Sequence, residues 1–236
     1  MDLLKKFDTQ ASYDAIKDSL EYPTVSYVTE NDLIYFLSKP ELYEWVDLGL
    51  PSGLKWAAWN VGATKPEEYG LYFAWGETQG YTGITDEKGF YWGDYELTTD
   101  GGSTFTKYNS TDGLTTLESS DDAAYQSDNT CRMPTIDEFK ELTANTTSTW
   151  TSVNGVSGIQ FTSKVEGYTD KSIFVPAAGD CINGSLDDAG SYGYYWSSSL
   201  YESSSRGAWY LGFNSVNVYV YDNYRYYGRS VRAVKK

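Results

Sequence analysis

"AWYLGFNSVNVYVYDNYRYYG", residues 208–228, is the stretch on which the fold turns. In "NVYVY" strict alternation puts Val218 and Val220 on one face and Tyr219 and Tyr221 on the other, the pattern of a half-buried strand. "AWYLGFN" repeats it, with Leu211 and Phe213 inward and Tyr210, Gly212 and Asn214 outward. A tight connection through 215–217 then predicts an antiparallel hairpin. Ten of the chain's 23 tyrosines fall between Tyr192 and Tyr227, so the outward face is phenolic. Two uses fit such a face. It can pack on an appended N-terminal element or fill a second core with its hydroxyls at the rim, or it can recognise a ligand. The accompanying Asn214, Asn217, Asp222, Asn223 and Arg206 favour recognition, because Tyr supplies large rigid area with few rotors while small polar residues adapt their hydrogen bonds.

Outward from this hairpin, short aromatic-rich runs alternate with Gly, Ser, Asp and Asn clusters, as in "WVDLGLPSGLKWAAWNVGA" (45–63) and "YGLYFAWGE" (69–77). The expectation is an α+β chain of short irregular strands, few short helices and long loops. One helix announces itself in "PTIDEFKEL" (134–142). There Thr135 caps the first amides, Glu138 reaches back, and Ile136, Phe139 and Leu142 share the inner face. Residues 98–130 are polar and read as surface loops. Residues 1–40 differ from the rest. Leu3, Leu4, Phe7, Tyr13, Ile16 and Leu20 recur at near-helical spacing up to Pro23, and "TVSYV" and "LIYFL" flank "TEND" as a hairpin. The expected division is a helix-plus-hairpin appendage over 1–40 and a main domain over 41–236.

Composition removes many functions. A net charge of −15 opposes phosphate backbones and anionic lipid, whose binding draws on Lys and Arg. Neither nucleic acid nor direct membrane insertion is therefore expected. The chain has no histidine, so Ser-His-Asp and Cys-His nucleophile pairs and His-ligated metals are unavailable. Carboxylate pairs are left for acid–base work. The doublets Asp121–Asp122 and Asp187–Asp188, however, sit in polar loop-like sequence and read as solvated charge. No calcium-loop, P-loop or dinucleotide-binding pattern occurs, and no cofactor or metal is expected. Cys131 and Cys181 are read as two partly buried thiols or as one disulfide. No apolar run reaches the length that spans a bilayer, and "MDLLKKFDTQ" lacks the apolar region of a secretory signal. Cytoplasm, a virion, or a mature surface form all remain open.

Six segments together resemble a known family: "YEWVDLGLPSGLKWAAWNVGA" (43–63), "YGLYFAWGE" (69–77), "CRMPTIDEFKEL" (131–142), "IFVPAAG" (173–179), "GYYWSSS" (193–199) and "GRSVRAV" (228–234). In this order they resemble the bacterial major paralogous domain family. The resemblance implies a C-type lectin fold related to the formylglycine-generating enzyme. The C-terminal block, about 194–232, further resembles the variable region of a diversity-generating retroelement target. In such regions AAC codons of a template are rewritten to NNC, which cannot encode Trp, Met, Lys, Glu or Gln.

The positions that the resemblance aligns with template codons are Tyr201, Ser203, Ser204, Arg206, Gly207, Tyr210, Gly212, Asn214, Val216, Asn217, Tyr219, Tyr221, Asp222, Asn223, Tyr224, Tyr226 and Tyr227. All belong to the permitted set. Trp196, Glu202 and Trp209 fall at frame positions, as do Leu211, Phe213, Val218, Val220, Val231 and Val234. The resemblance implies a non-enzymatic protein on a cell surface or phage virion. Its tyrosine surface would bind an unidentified protein or glycan on another cell, without a metal. A fixed-specificity adhesin or structural domain and a formylglycine-type oxidase are the alternatives.

Overall fold

The computed structural model describes residues 4–7, 11, 24–28, 33–37, 42–83 and 88–236. The chain divides into two compact units, Met1–Leu42 and Tyr43–Lys236. In the first unit, β1 (Leu4–Phe7) pairs parallel with β2 (Thr24–Val28), and β2 pairs antiparallel with β3 (Leu33–Leu37). Leu4–Phe7 is thus extended where helical spacing had predicted a helix. Leu4 and Phe7 are the only apolar residues of this four-residue segment, too few for their spacing to tell helix from strand, and pairing with β2 decides it. Tyr13, Ile16, Leu20 and the "TEND" connection lie outside the described residues.

Among its described residues the second unit is mostly β, with two short α-helices and one turn of 3-10 helix at Ser119–Asp121. Its strands are β4 (Trp45–Asp47), β5 (Lys55–Ala57), β6 (Tyr72–Phe73), β7 (Thr146–Val153), β8 (Val156–Ser163), β9 (Ser172–Pro176), β10 (Asp180–Ile182), β11 (Ser185–Asp187), β12 (Gly193–Leu200), β13 (Gly207–Phe213), β14 (Val218–Tyr224), β15 (Arg229–Ser230) and β16 (Val234–Lys235). The largest sheet has the order β14-β13-β12-β15-β6. Two three-stranded sheets, β16-β5-β4 and β7-β8-β9, and the β10–β11 ribbon complete it.

Helix α1 (Ala123–Ser127) starts at Asp122, whose carboxylate accepts from Ala124 and Tyr125 N–H and also from Met133 N–H. Asp122 is buried, so one member of that acidic doublet is a structural cap and not solvated charge. Asp121 bonds Lys107 and Tyr108 Oη instead. Helix α2 (Ile136–Asn145) carries the full capping box of Thr135 and Glu138 and buries Ile136, Phe139 and Leu142, as its sequence predicts.

The central sheet is buried on both faces at its middle strands. On one face Tyr195, Leu211 and Phe213 join α2, β8 and β9, with Val218 and Val220 packed against them. On the other, Trp196, Ala208 and Tyr210 join Trp75, Tyr108 and Val231. Three arginines are interred near the C-terminus: Arg225, Arg229 and Arg232 are each at most 1% exposed. Arg232 donates to Asn60 Oδ1 and to the carbonyls of Ala57 and Phe174. Burial lowers its pKa to about 10. Cys131 and Cys181 are both buried, and no disulfide joins them.

Candidate functional site

β13 and β14 form the predicted hairpin, in the register Tyr210↔Tyr221, Gly212↔Tyr219 and Phe213↔Val218. Its turn is an Asx turn: Asn214 Oδ1 accepts from Val216 N–H at 2.8 Å and Asn217 N–H at 2.9 Å. Alternation along β14 sends Val218 and Val220 to the α2 side and Tyr219 and Tyr221 to the other.

The tyrosine side is only partly open to solvent. Tyr221 is 62% and Tyr224 45% exposed, whereas Tyr210 is 6% exposed and Gly207 and Gly212 are buried. Tyr219, Tyr226 and Tyr227 are half-buried. The sequence placed Tyr210 outward, and alternation had its side right. β13 is an interior strand flanked by β12, however, so Trp196 of that neighbour, its register partner, helps cover the ring. β14 is the edge strand, and its tyrosines emerge.

Beneath the half-buried Tyr194 and Tyr227 lies a cation. Arg229 is held by Asp180 at 3.1 and 3.2 Å. Its guanidinium sits 3.8 Å from the Tyr210 ring, 4.5 Å from Trp196, 5.1 Å from Tyr194 and 5.2 Å from Tyr227. Nη1 has no hydrogen-bond acceptor, so ring faces take that role. Burial raises the Asp180 pKa, against the pull of Arg229. Burial also pushes Tyr219 up to about 12.

A second aromatic group continues the surface. Tyr227 stacks on Tyr226 at 4.9 Å, and Tyr226 on Tyr224 at 5.7 Å. Trp92 meets Tyr226 at 4.8 Å and Tyr224 at 5.6 Å. Arg206 lies 4.7 Å over Trp92 and 5.4 Å over Tyr224, and donates to the Gly102 carbonyl at 2.6 Å. On the other flank Tyr192 stacks on Tyr194 at 5.9 Å, and Tyr194 Oη donates to Asp188. Tyr194 meets Tyr210, which meets Tyr219. The two aromatic groups meet at the buried Arg229 guanidinium, which lies over Tyr227 of one and Tyr194 and Tyr210 of the other.

Trp92, Tyr192 and Tyr194 were not among the residues predicted for this surface. Trp92 belongs to a loop distant in sequence, pinned by Asp94, whose carboxylate accepts from the N–H groups of Gly89, Phe90 and Tyr91. Lys88 reinforces it, bonding Glu77 and the Asp94 carbonyl from a buried position. The "GFYWGD" composition is the only signal in the sequence, and it does not say where the loop docks.

Several candidates stand elsewhere. Tyr201 packs edge-on against Trp209 at 5.2 Å, and Trp209 belongs with the Leu211 face. Asp222 opposes Trp209 in register and lies close to Gly207, so it too falls on that side, not with the tyrosines. Asn223 pairs with Ala208 on the tyrosine side. Ser203 is exposed, and Ser204 ties the 201–207 loop through its backbone and its hydroxyl. Asn214, Val216 and Asn217 line a separate cleft beside Trp150.

Among the described residues, no group of three or more His, Cys, Asp or Glu is placed to hold a metal ion. No helix among them is long and apolar enough to cross a membrane. Residues 146–234, which contain the whole hairpin, match the model of a family described as a domain of unknown function, DUF8237. No curated protein and no solved structure matches the chain.

Proposed function

We propose that the chain is a ligand-binding protein with a C-type lectin fold, whose C-terminal region is diversified by a retroelement. Its exposed aromatic surface would hold a protein or glycan on another cell by shape, stacking and hydrogen bonds. The observation that carries this reading is the edge-strand tyrosine patch. Tyr221 and Tyr224 stand open, Tyr224 beside Trp92 and Arg206, while Tyr210 and Tyr227 rest on the buried Asp180–Arg229 pair. Tyr, Trp and Arg are the types that dominate contact energetics, and a rigid floor lowers the entropy lost on binding. The family resemblance supplies the retroelement and a cell surface or phage virion as the setting.

Binding is preferred over formylglycine-type oxidation because Cys181 is buried. Burial first, then Asp180 and Asp187, push its thiol up to about 12, which disfavours the thiolate that such chemistry starts from.

Two experiments test the proposal. Sequencing around the gene should find an adenine-rich, near-identical template repeat and a reverse transcriptase gene; a neighbourhood lacking both leaves a binding domain of fixed specificity. A displayed library randomised with NNC codons at Arg206, Tyr221, Asn223, Tyr224, Tyr226 and Tyr227 is then selected against lysozyme as an arbitrary protein target. Enriched clones should map to this patch and lose binding when Trp92 is replaced by Ala. A folded library from which no binder emerges would defeat the reading of the patch as a recognition surface.

A further inference from the structure

The geometry points to a second binding site, for a small neutral saccharide, in the cleft between the β7–β8 sheet and the hairpin turn. The inference is independent of the tyrosine surface, because the cleft sits on the Val218 side of β14, and Val218 itself lines it.

The cleft encloses about 320 Å³, at the low end of the roughly 300–1,000 Å³ range of small-molecule sites. One wall is a face of the β7–β8 pair. Trp150 and Ile159 are register partners there, and Ser148 lies two residues from Trp150 on the same face. The opposite wall is the turn, with Asn214, Ser215 and Asn217, and Thr143 of α2 contributes to the lining. The walls therefore offer an indole, two carboxamides and three hydroxyls.

No ionisable side chain lines the cleft. In a chain of net charge −15 that is unusual, and it removes the means to hold a phosphate, a carboxylate or an ammonium ion. What the lining can satisfy is a neutral molecule with hydroxyls around its edge and an apolar face. The half-buried indole of Trp150 offers a flat surface for that face. Asn and Ser side chains both donate and accept, as a ring of hydroxyls requires. Hydrogen-bonding groups alone would leave such a ligand no better held than in water, and the stacking surface supplies the difference.

The site is also pre-formed. Asn214 Oδ1 is occupied by the turn amides of Val216 and Asn217, which fixes the turn and leaves its Nδ2 to donate. The β7–β8 wall is an uninterrupted eight-residue antiparallel register. Neither wall has to order itself when a ligand enters, which preserves weak affinity that a mobile site would lose.

The test uses the full chain, uniformly labelled with nitrogen-15, titrated with glucose, galactose, mannose, N-acetylglucosamine, lactose and maltose. Each sugar is carried to about 50 mM, where a site of millimolar affinity is saturated. The Trp150 indole resonance is identified by its loss in Trp150→Phe. The expected result is a saturable shift of that resonance and of the 214–218 amides with at least one of these sugars. Asn217→Ala, at an exposed position that should not disturb folding, should weaken that binding about tenfold, equivalent to roughly 1.4 kcal/mol. Tyr221→Ala should leave it unchanged. If no sugar shifts Trp150, or if the shifts fall on the tyrosine surface with Trp150 silent, the site as inferred does not exist.

Discussion

The ring of Tyr219 lies over Gly212, its register partner on the adjacent strand, and occupies the space that a Cβ at 212 would take. A cross-strand aromatic covers the bare glycine backbone, and the ring is in turn placed against Tyr210 at 6.3 Å.

Positions 212 and 219 should therefore vary only together. Gly212→Ser is expected to destabilise the protein by about 1–2 kcal/mol through overpacking against Tyr219. Adding Tyr219→Ser should recover roughly 1 kcal/mol of that in a double-mutant cycle from urea denaturation. Additive losses would show that the ring does not depend on the glycine.

Tyr210 and Tyr221 face each other across the same two strands yet differ tenfold in exposure, at 6% and 62%. Tyr210→Ala removes a ring packed on Arg229 and Trp196 and should cost about 3 kcal/mol or more. Tyr221→Ala should stay within about 0.5 kcal/mol of the parent. Paired unfolding midpoints measure both, and comparable losses would contradict the burial contrast.

Arg225 is fully buried and pins three loops at once. Nε donates to Tyr95 Oη at 2.8 Å, Nη1 to the carbonyls of Tyr108 and Ser205, and Nη2 to that of Lys107. Its guanidinium lies 4.5 Å from the Phe105 ring and 4.9 Å from Trp75. Arg225→Met would strand those carbonyls at about 1–3 kcal/mol for each left unpaired, and Arg225→Lys cannot reproduce the planar fork. Both variants should lower Tm and weaken the near-ultraviolet circular dichroism of this aromatic group. Full retention of both signals in Arg225→Met would show that the hydrogen bonds are dispensable.

Glu138 gives a pH dependence of determinate sign. Burial raises its pKa, but the bidentate pairing with Arg132 and the N–H of Thr135 outweigh this, so the net shift is downward from 4.5. A depressed carboxyl stabilises the fold above its unfolded pKa, and that stabilisation fades as pH falls below 4.5 through the folded value. Glu138→Gln should therefore lose about 1 kcal/mol near pH 7, after allowance for the partly exposed Arg132, and the gap should close on acidification. Stability curves against pH for the two proteins check it. A gap of constant width would mean that charge plays no part.

How much was legible in the sequence depended on whether the cause was local. The capped helix at Ile136 was readable because Thr135, Glu138 and the inner-face spacing all lie within one turn or two of each other. The β13–β14 hairpin and its division into valine and tyrosine faces were readable because alternation has a period of two and the turn is adjacent. Alternation names sides, however, and does not say what lies above them. Whether Tyr210 is core and Tyr221 surface was decided by strand order, which puts β14 at the edge and β13 beside β12. The placing of Trp92 against Tyr226, the burial of Arg225 and Arg229 among rings, and the meeting of Trp150 with the turn at Asn214 all join segments far apart in the chain. Such contacts leave no periodic trace in sequence, because they arise only when separate elements compete for the same buried volume and tertiary packing selects the winner.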